Sequence, residues 1–253
     1  MTETDKRYTQ IYAELNAAWA IAKKDIAIYY LKPNIIVSGA LFPLFMFLAF
    51  AVGKPAGPSV MIPGLIAITI LFSASSIEPV SIPIERRMKT FDRLVSAPVS
   101  LHAVVLGESL SGFLYSIGIA FVPFAAGLII FGTPVLDIFS LLCGIILTAF
   151  CFATMGTLFA AYPTESPGDI MSMLNMVRLP LIFISGIFIP LESIPSAGQF
   201  LVYFSPLTYG NDLIQAAYRG STQFSPLADI AMLCIFILIF QILANRLYKK
   251  FNE

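Results

Sequence analysis

The sequence has few charged residues and almost none of the residue patterns that form enzyme active sites. Only 12% of its 253 residues are Asp, Glu, Lys or Arg, and His102 is the single histidine. Histidines alone therefore cannot build a zinc site or a histidine-based triad. The sequence also lacks the GxSG motif, a pair of membrane-embedded aspartates, and the GxxxxGK[ST] phosphate-binding loop. We therefore expect no enzymatic activity, no metal and no cofactor on this chain.

Cysteine and net charge exclude two further classes of protein. Cys143, Cys151 and Cys234 lie in apolar runs without a CxxC pair, so we interpret them as packing residues rather than as a disulfide framework. The formal net charge is zero, whereas nucleic-acid-binding proteins carry a basic surplus. We expect no nucleic-acid partner. The polar N-terminus predicts no removable signal peptide.

Long apolar runs are abundant. Hydrophobic residues make up 58% of the chain, which is typical of an integral membrane protein. Each of six runs has about the 20 residues that a helix needs to cross a bilayer. They are residues 35–52, 60–82, 104–131, 135–161, 170–189 and 227–247. We predict a single all-α transmembrane domain with six transmembrane helices.

Charge is concentrated in residues 84–100, between the second and third apolar runs. Six charged residues occur there within nine positions: Glu85, Arg86, Arg87, Lys89, Asp92 and Arg93. Such a segment must lie outside the hydrocarbon layer. It therefore has the properties of a surface that a soluble partner could bind.

The distribution of lysine and arginine predicts the orientation. With six spans both termini lie on one side, and that side carries twelve of the fifteen cations against two on the other. Arg178, inside the fifth run, is the remaining one. Because cytoplasmic loops are rich in Lys and Arg, we predict a multi-pass cell-membrane protein with both termini in the cytoplasm.

Residues 8–31 have the pattern of an amphipathic helix. Aromatic and aliphatic residues recur every three or four positions, while Glu14, Lys24 and Asp25 project from the opposite side. We predict a helix in the headgroup layer of the bilayer. The alternative is a soluble helix packed on a neighbouring domain. The apolar stripe is Tyr8, Ile11, Tyr12, Leu15, Trp19, Ala22, Ile26 and Tyr30.

Residues 190–225 are too apolar for a flexible loop. Pro190, Pro195 and Pro206 divide them into two pieces of about ten residues, which are too short to span the bilayer. Either Ser205 or Thr208 is placed to cap the second piece. We predict two short re-entrant helices before the last span, with a loop packed on the ends of the spans as the alternative.

Few charges lie within the apolar runs. Glu78 and Glu108 are near cytoplasmic ends, and Arg178 is about eight residues into the fifth run. Arg178 could extend towards the cytoplasm, pair with Glu78 or Glu165, or face a polar cavity on a substrate path. We find no site for a coupling ion, which places the energy source on another polypeptide.

Two segments of the sequence are informative together. The first is ERRMKTFDRL at 85–94, followed by APVS at 97–100. The second comprises SGIFIPL at 185–191, Ile194-Pro195, and FSPLTY at 204–209, up to Arg219. Together they resemble the permease subunit of the type-2 ABC exporter family, which contains the daunorubicin-resistance-like drug efflux permeases. Lys89 stands where the family usually has glycine, and Ser205 where it commonly has asparagine.

The resemblance implies a bacterial or archaeal homodimer in the lipid bilayer, exporting a small amphipathic or hydrophobic compound. Each copy would bind a separate ABC ATPase subunit, which would carry ATP and Mg. The coupling helix region would be residues 84–100, with Glu85, Arg86, Arg87, Lys89, Thr90, Asp92 and Arg93 as its docking residues. The path would run between the copies, lined by the second and fifth spans; we assign to it Phe72, Ser76, Asn175, Met176, Arg178, Phe183 and Phe188.

A second function class fits the same apolar pattern. A self-sufficient secondary transporter or channel would need no ATPase and would use Glu78, Glu108 or Arg178 for coupling or selectivity. Copurification of an ATPase would favour the exporter, whereas solute movement by the isolated chain under an ion gradient would favour this alternative. A membrane enzyme is a third class, which the missing motifs disfavour.

Overall fold

The computed structural model describes residues 3–30, 41, 43–45, 48 and 57–252, and these contain helices but no strand. The helices are α1 (Glu3–Asp25, continued by a π-helical turn, Ile26–Tyr30), α2 (Pro58–Ala74), α3 (Glu78–Arg87), α4 (Thr90–Val95), α5 (Leu101–Ile129), α6 (Ile138–Ala160), α7 (Pro167–Ile184), α8 (Ser196–Val202), α9 (Pro206–Arg219) and α10 (Pro226–Asn252).

Five segments of the described residues are long and apolar enough to cross a membrane. They are α2 with α3 as one unit, then α5, α6, α7 and α10, and they correspond to the second to sixth predicted spans. The first predicted span, 35–52, lies almost wholly outside the described residues. The chain is therefore a multi-pass membrane protein, and the count of six stays a prediction.

Helix α6 is the centre of the bundle, since α2, α5, α9 and α10 all pack against it. Its buried face carries small residues, among them Gly144, Ala149, Ala153 and Gly156. Small residues allow helix backbones to approach closely, which is how helices associate where the hydrophobic effect is weak. The sequence of α6 therefore accounts for its central position.

Large apolar side chains cover the outside of the bundle. Phe121 and Ile129 of α5 and Leu238 of α10 are all more than half exposed. In lipid such side chains need no protein contact, so this surface matches the hydrocarbon layer. Helix α7 is also peripheral, because only 22% of the helix is buried.

Helix α1 packs along α5 through a face that the sequence pattern did not predict. Ala18, Ile21, Ala22 and Asp25 are buried, and a Cβ on Gly107 of α5 would lie 2.8 Å from the Ala18 carbonyl oxygen. Asp25 lies off the aromatic stripe, as predicted, but it is buried. The contact selects small residues, and hydrophobicity alone does not reveal such a face.

The predicted aromatic stripe of α1 is turned outwards along its first half. Tyr8, Tyr12, Leu15 and Trp19 are all more than half exposed. An exposed row of aromatic and aliphatic residues agrees with a helix that lies in the headgroup layer.

Residues 190–225 contain two short helices, α8 and α9, as predicted, and their re-entrant path stays a prediction. Ser205 caps α9 by accepting a hydrogen bond from the Thr208 backbone N–H. Nearly all of α9 is buried, and it fits so tightly that a Cβ on Gly210 would overlap Thr148 of α6. For α9 the alternative of an exposed loop is wrong.

Candidate functional site

The charged segment, residues 84–100, folds as the end of α3 followed by the short helix α4. The reversal between them occurs at Lys89, whose φ of 56° is the only positive value at a non-glycine among the described residues. Left-handed backbone is strained for a residue with a Cβ. A glycine would adopt this conformation without strain.

Phe91 anchors the charged segment to the bundle. Its ring is fully buried and lies 5.8 Å, centroid to centroid, from the ring of Tyr248 in α10. Val104 and Ala161 belong to the same apolar cluster. One side of α4 is thereby fixed to the transmembrane helices, while its other side is free to face outwards.

Arg86 makes its contacts within the chain. Its guanidinium donates hydrogen bonds to the backbone carbonyls of Tyr162 and, at 3.3 Å, Ala161. It also lies 5.3 Å from the ring centroid of Phe91 and 5.9 Å from that of Tyr248. Arg86, predicted for docking, therefore joins α3 to the connection between α6 and α7.

Glu85 is likewise turned inwards. It is 4% exposed and accepts a hydrogen bond from the ammonium group of Lys24 at 2.7 Å. The Tyr29 hydroxyl lies 3.4 Å from the same carboxylate oxygen. These contacts tie α3 to the N-terminal helix.

The other predicted docking residues form an exposed surface. We call it the docking face; it consists of Arg87, Lys89, Thr90, Asp92 and Arg93. Met88, beside them, is 63% exposed. Three cations and one carboxylate on a short, anchored segment can set the register of a charged partner.

Arg178 occupies the break between α2 and α3. Its side chain is fully buried; Nε donates to the Ser75 hydroxyl at 3.0 Å, and Nη1 lies 3.5 Å from the Asn175 amide oxygen. The guanidinium is 5.4 Å from the ring centroid of Phe72 and interacts electrostatically with Glu78. Of the alternatives for Arg178, extension towards the cytoplasm is wrong, and it lies among polar partners.

The predicted path residues are only partly brought together. Phe72, Asn175 and Arg178 form one cluster, and the half-buried Ser76 donates its hydroxyl to the Phe72 carbonyl at one edge of it. Met176 points outwards and is 78% exposed. The remaining two, Phe183 and Phe188, pair with each other at 6.1 Å.

A cavity of about 340 Å³ opens at the end of the bundle opposite the charged segment. It lies between α9, the end of α7 and the start of α2. Phe188 is the one predicted path residue on its wall. Its polar lining comes from residues that the sequence reasoning did not assign: Ser185, Thr208, Asn211, Asp212, Gln215, Arg219 and Gln223.

The sequence reasoning missed how closely Lys24 and Asp25 approach the charged segment. Lys24 bridges Asp25, at 2.9 Å, and Glu85. Burial would lower the pKa of Lys24, but the surrounding carboxylates of Glu108, Asp25 and Glu85 raise it above its usual value. Burial raises the pKa of Asp25 to about 6. In the sequence, the adjacent charges of Lys24 and Asp25 at the end of α1 are the one signal that could have revealed this contact.

Comparisons with known proteins agree with this arrangement. Residues 16–218 match the family described as ABC-2 type transporter. The chain is 27% identical to Nodulation protein J of Rhizobium leguminosarum bv. trifolii over 219 residues, which cover 83% of this chain and 81% of the relative. It is 23% identical to the inner membrane transport permease YadH of Escherichia coli K12 over 233 residues, or 87% of each chain. The chain therefore belongs to the ABC-2 type transporter family, as a membrane-embedded permease subunit.

Proposed function

We propose that this chain is the transmembrane subunit of an ATP-driven exporter and that two copies form the transport path. Each copy would carry a separate ATPase subunit on its docking face. The observation that carries the proposal is the two-sided construction of the charged segment. Phe91, Glu85 and Arg86 hold it to the bundle, while Arg87, Lys89, Asp92 and Arg93 remain exposed.

A force applied to the docking face would reach the transmembrane helices directly. Helix α3 follows α2 along the chain, after the break at Ser75. Glu85 connects α3 to α1. Rigid elements that have two packed arrangements are the means by which such movements travel. ATP binding on the partner would therefore move α1, α2 and α3 together.

The exposed face of α7 supports a homodimer with the path at its centre. Met173, Met176, Val177 and Leu179 are exposed there, directly beside the buried Arg178. A second copy on this face would enclose an apolar surface with a cation behind it. Such a surface suits a small amphipathic or hydrophobic compound.

The proposal includes an orientation. The charged segment and both termini would lie in the cytoplasm, as the distribution of Lys and Arg predicts. Helices α8 and α9 would enter the membrane from the outer side and return. Leu213 and Ile214 of α9 contact Gly144, which lies six residues, or about 9 Å, inside the outer end of α6. The bacterial relatives support a bacterial origin.

Copurification in mild detergent tests the proposal. The tagged native chain should copurify with an ATP-hydrolysing subunit, and Arg87→Glu/Arg93→Glu should lose it while remaining folded. Arg246→Glu is the matched control, because Arg246 is exposed on α10 near the same end of the bundle but outside the docking face. If the native chain brings down no ATPase, or if both variants lose it equally, the docking proposal fails.

One observation favours the alternative of a self-sufficient transporter, namely the embedded pair of Glu78 and Arg178. Purified chain in vesicles distinguishes the two functions. Solute movement driven by an ion gradient, without ATPase and abolished by Glu78→Gln, would support the alternative. An exporter subunit should move no solute under those conditions.

A further inference from the structure

Four carboxyl groups converge between α1, α3 and α5, close to the charged segment. We call them the carboxyl network: Asp25, Glu78, Glu85 and Glu108. Their residues are 0%, 0%, 4% and 1% exposed, respectively. Buried ionised carboxylates are strongly unfavourable unless cations or hydrogen-bond donors compensate them. The number of cations near the network therefore decides whether all four carboxyl groups can be ionised.

The cations around the network do not balance it. Lys24 contacts Asp25 and Glu85, and Arg178 faces Glu78. Arg86, near Tyr248, directs its hydrogen bonds to backbone carbonyls instead. Even with Arg86 counted, four ionised carboxylates face three cations. The other titratable groups that face the network, Tyr29 of the π-helical turn and Tyr248 of α10, are neutral in their ordinary form.

Two of the four carboxylates have their own compensation. Glu85 accepts a hydrogen bond from Lys24. Glu78 is the first residue of α3, where the helix dipole favours a negative charge, and Arg178 lies near it.

Asp25 and Glu108 face each other, and their carboxyl groups lie within hydrogen-bonding reach. Lys24 contacts one oxygen of Asp25 at 2.9 Å, whereas no donor group among the described residues satisfies either oxygen of Glu108. A hydrogen bond between two carboxyl groups requires one of them to carry a proton. The tight contact of α1 with Gly107, beside Glu108, leaves little room for a water molecule that could donate hydrogen bonds to the two carboxyl groups.

We propose that Asp25 and Glu108 form a proton-binding site that holds one shared proton in the contact between α1 and α5. A shared proton is the ligand that joins two facing carboxyl groups, since one of them must donate a hydrogen bond to the other. When α1 separates from α5, the proton passes to water and Asp25 remains as a carboxylate paired with Lys24. Because Lys24 also holds Glu85, movement of the charged segment would change the affinity for this proton.

The effect of movement of the charged segment on the proton affinity rests on the proposed function, whereas proton binding itself does not. It can be measured on the purified full chain without an ATPase. Failure of the docking experiment and failure of this inference are therefore separate outcomes.

Infrared difference spectroscopy of the chain in lipid nanodiscs tests the site. At pH 7 exposed carboxyls are ionised, so the C=O stretch of a protonated carboxylic acid reports only buried groups. We expect this band in the native protein, with a shift in D₂O, and a loss of intensity equal to one carboxyl in Asp25→Asn/Glu108→Gln. Glu165→Gln, which removes an exposed carboxyl, is the matched control and should leave the band unchanged. Since the buried Asp229 can contribute to the same band, the assignment uses the difference between variants.

Three results would overturn the inference. One is the absence of any protonated carboxyl in the native chain at pH 7, which needs no variant and so does not depend on variant folding. Another is an unchanged band in the folded double variant, or in Glu108→Gln if the double variant does not fold. The third is a band that falls as sodium replaces choline, because the site would then bind a cation rather than a proton.

Discussion

Arg178 of α7 donates a hydrogen bond from Nε to the hydroxyl of Ser75, 3.0 Å away, at the break between α2 and α3. The two residues are 103 positions apart in the sequence and both are fully buried. This contact places the only cation of the fifth apolar run beside the point where the second span is interrupted. It makes Arg178 a structural residue, which lies behind the exposed face of α7 where the path is proposed.

Loss of Arg178 should destabilise the protein strongly. Arg178→Leu removes the hydrogen bond to Ser75 and the cation that interacts electrostatically with the buried Glu78. A hydrogen bond to a charged group typically contributes about 1.5–3 kcal/mol. Arg178→Leu/Glu78→Gln should recover much of that stability, because no uncompensated charge remains. Thermal unfolding in detergent measures both, with Arg246→Leu as an exposed control. Equal stability of Arg178→Leu and the native chain would show that the guanidinium has no structural role.

Replacing Lys89 with glycine should stabilise the charged segment. A residue with a Cβ in left-handed backbone costs about 1 kcal/mol relative to glycine. Lys89→Gly should therefore raise the unfolding temperature, while Lys89→Ala, which removes the same charge and keeps the Cβ, should not. If both variants behave alike, the effect is one of charge rather than of backbone conformation.

Glu78 lies in a narrow slot between Gly112 of α5 and Gly156 of α6, where a residue larger than glycine would not fit. A Cβ on Gly112 of α5 would overlap Oε1 of Glu78, and a Cβ on Gly156 of α6 would lie 2.8 Å from its Oε2. Overpacking of this kind typically costs about 1–3 kcal/mol, so we expect Gly112→Ala and Gly156→Ala to lower the unfolding temperature.

Gly118→Ala is the matched control for that slot, since a Cβ at Gly118 meets nothing within 4 Å. It should be neutral or stabilising, because alanine favours a helix by about 1 kcal/mol over glycine. Tolerance of alanine at Gly112 as well as at Gly118 would contradict the slot.

The stability of the chain should depend on pH through Asp25. Burial raises the pKa of Asp25 to about 6 in the folded chain, from 3.8. Below about pH 6 the folded chain thus takes up a second proton, beside the one that Asp25 and Glu108 are proposed to share, and holds it more tightly than the unfolded state does. Its contribution, about 3 kcal/mol, is fully present below pH 3.8 and is lost as the pH rises through about 6. Unfolding of native and Asp25→Asn chains from pH 4.5 to 7.5 measures it; the variant should lose the decline, and a Glu165→Gln control should keep it.

The exposed face of α7 should lie near its counterpart in a second copy. Met176→Cys, in a background where Cys234 is replaced by serine, should form a disulfide-linked dimer in membranes under mild oxidation. Ile129→Cys is equally exposed, at 80% against 78%, but lies on α5, and it should not crosslink. Crosslinking of Ile129→Cys alone would place the dimer contact on α5 instead.

The sequence by itself determined the class of the fold, the positions of five spans and the charged segment between two of them. Those features depend on local properties: the length of an apolar run, a proline at a boundary, a cation that cannot remain in hydrocarbon. The pattern in 190–225 predicted two short helices for the same reason, and Ser205 caps the second of them as its side chain dictates.

Only the tertiary structure decided which charged residues face a partner and which face the bundle. Glu85 and Arg86 differ little from Arg87 and Arg93 in sequence, yet their partners, Lys24 and Tyr162, come from distant segments. The hydrophobic pattern of α1 assigns Asp25 to a polar face, because hydrophobicity does not predict a contact built on small residues such as Gly107. Whether a buried carboxyl remains charged depends on groups that several helices bring together, and no single segment of sequence contains that information.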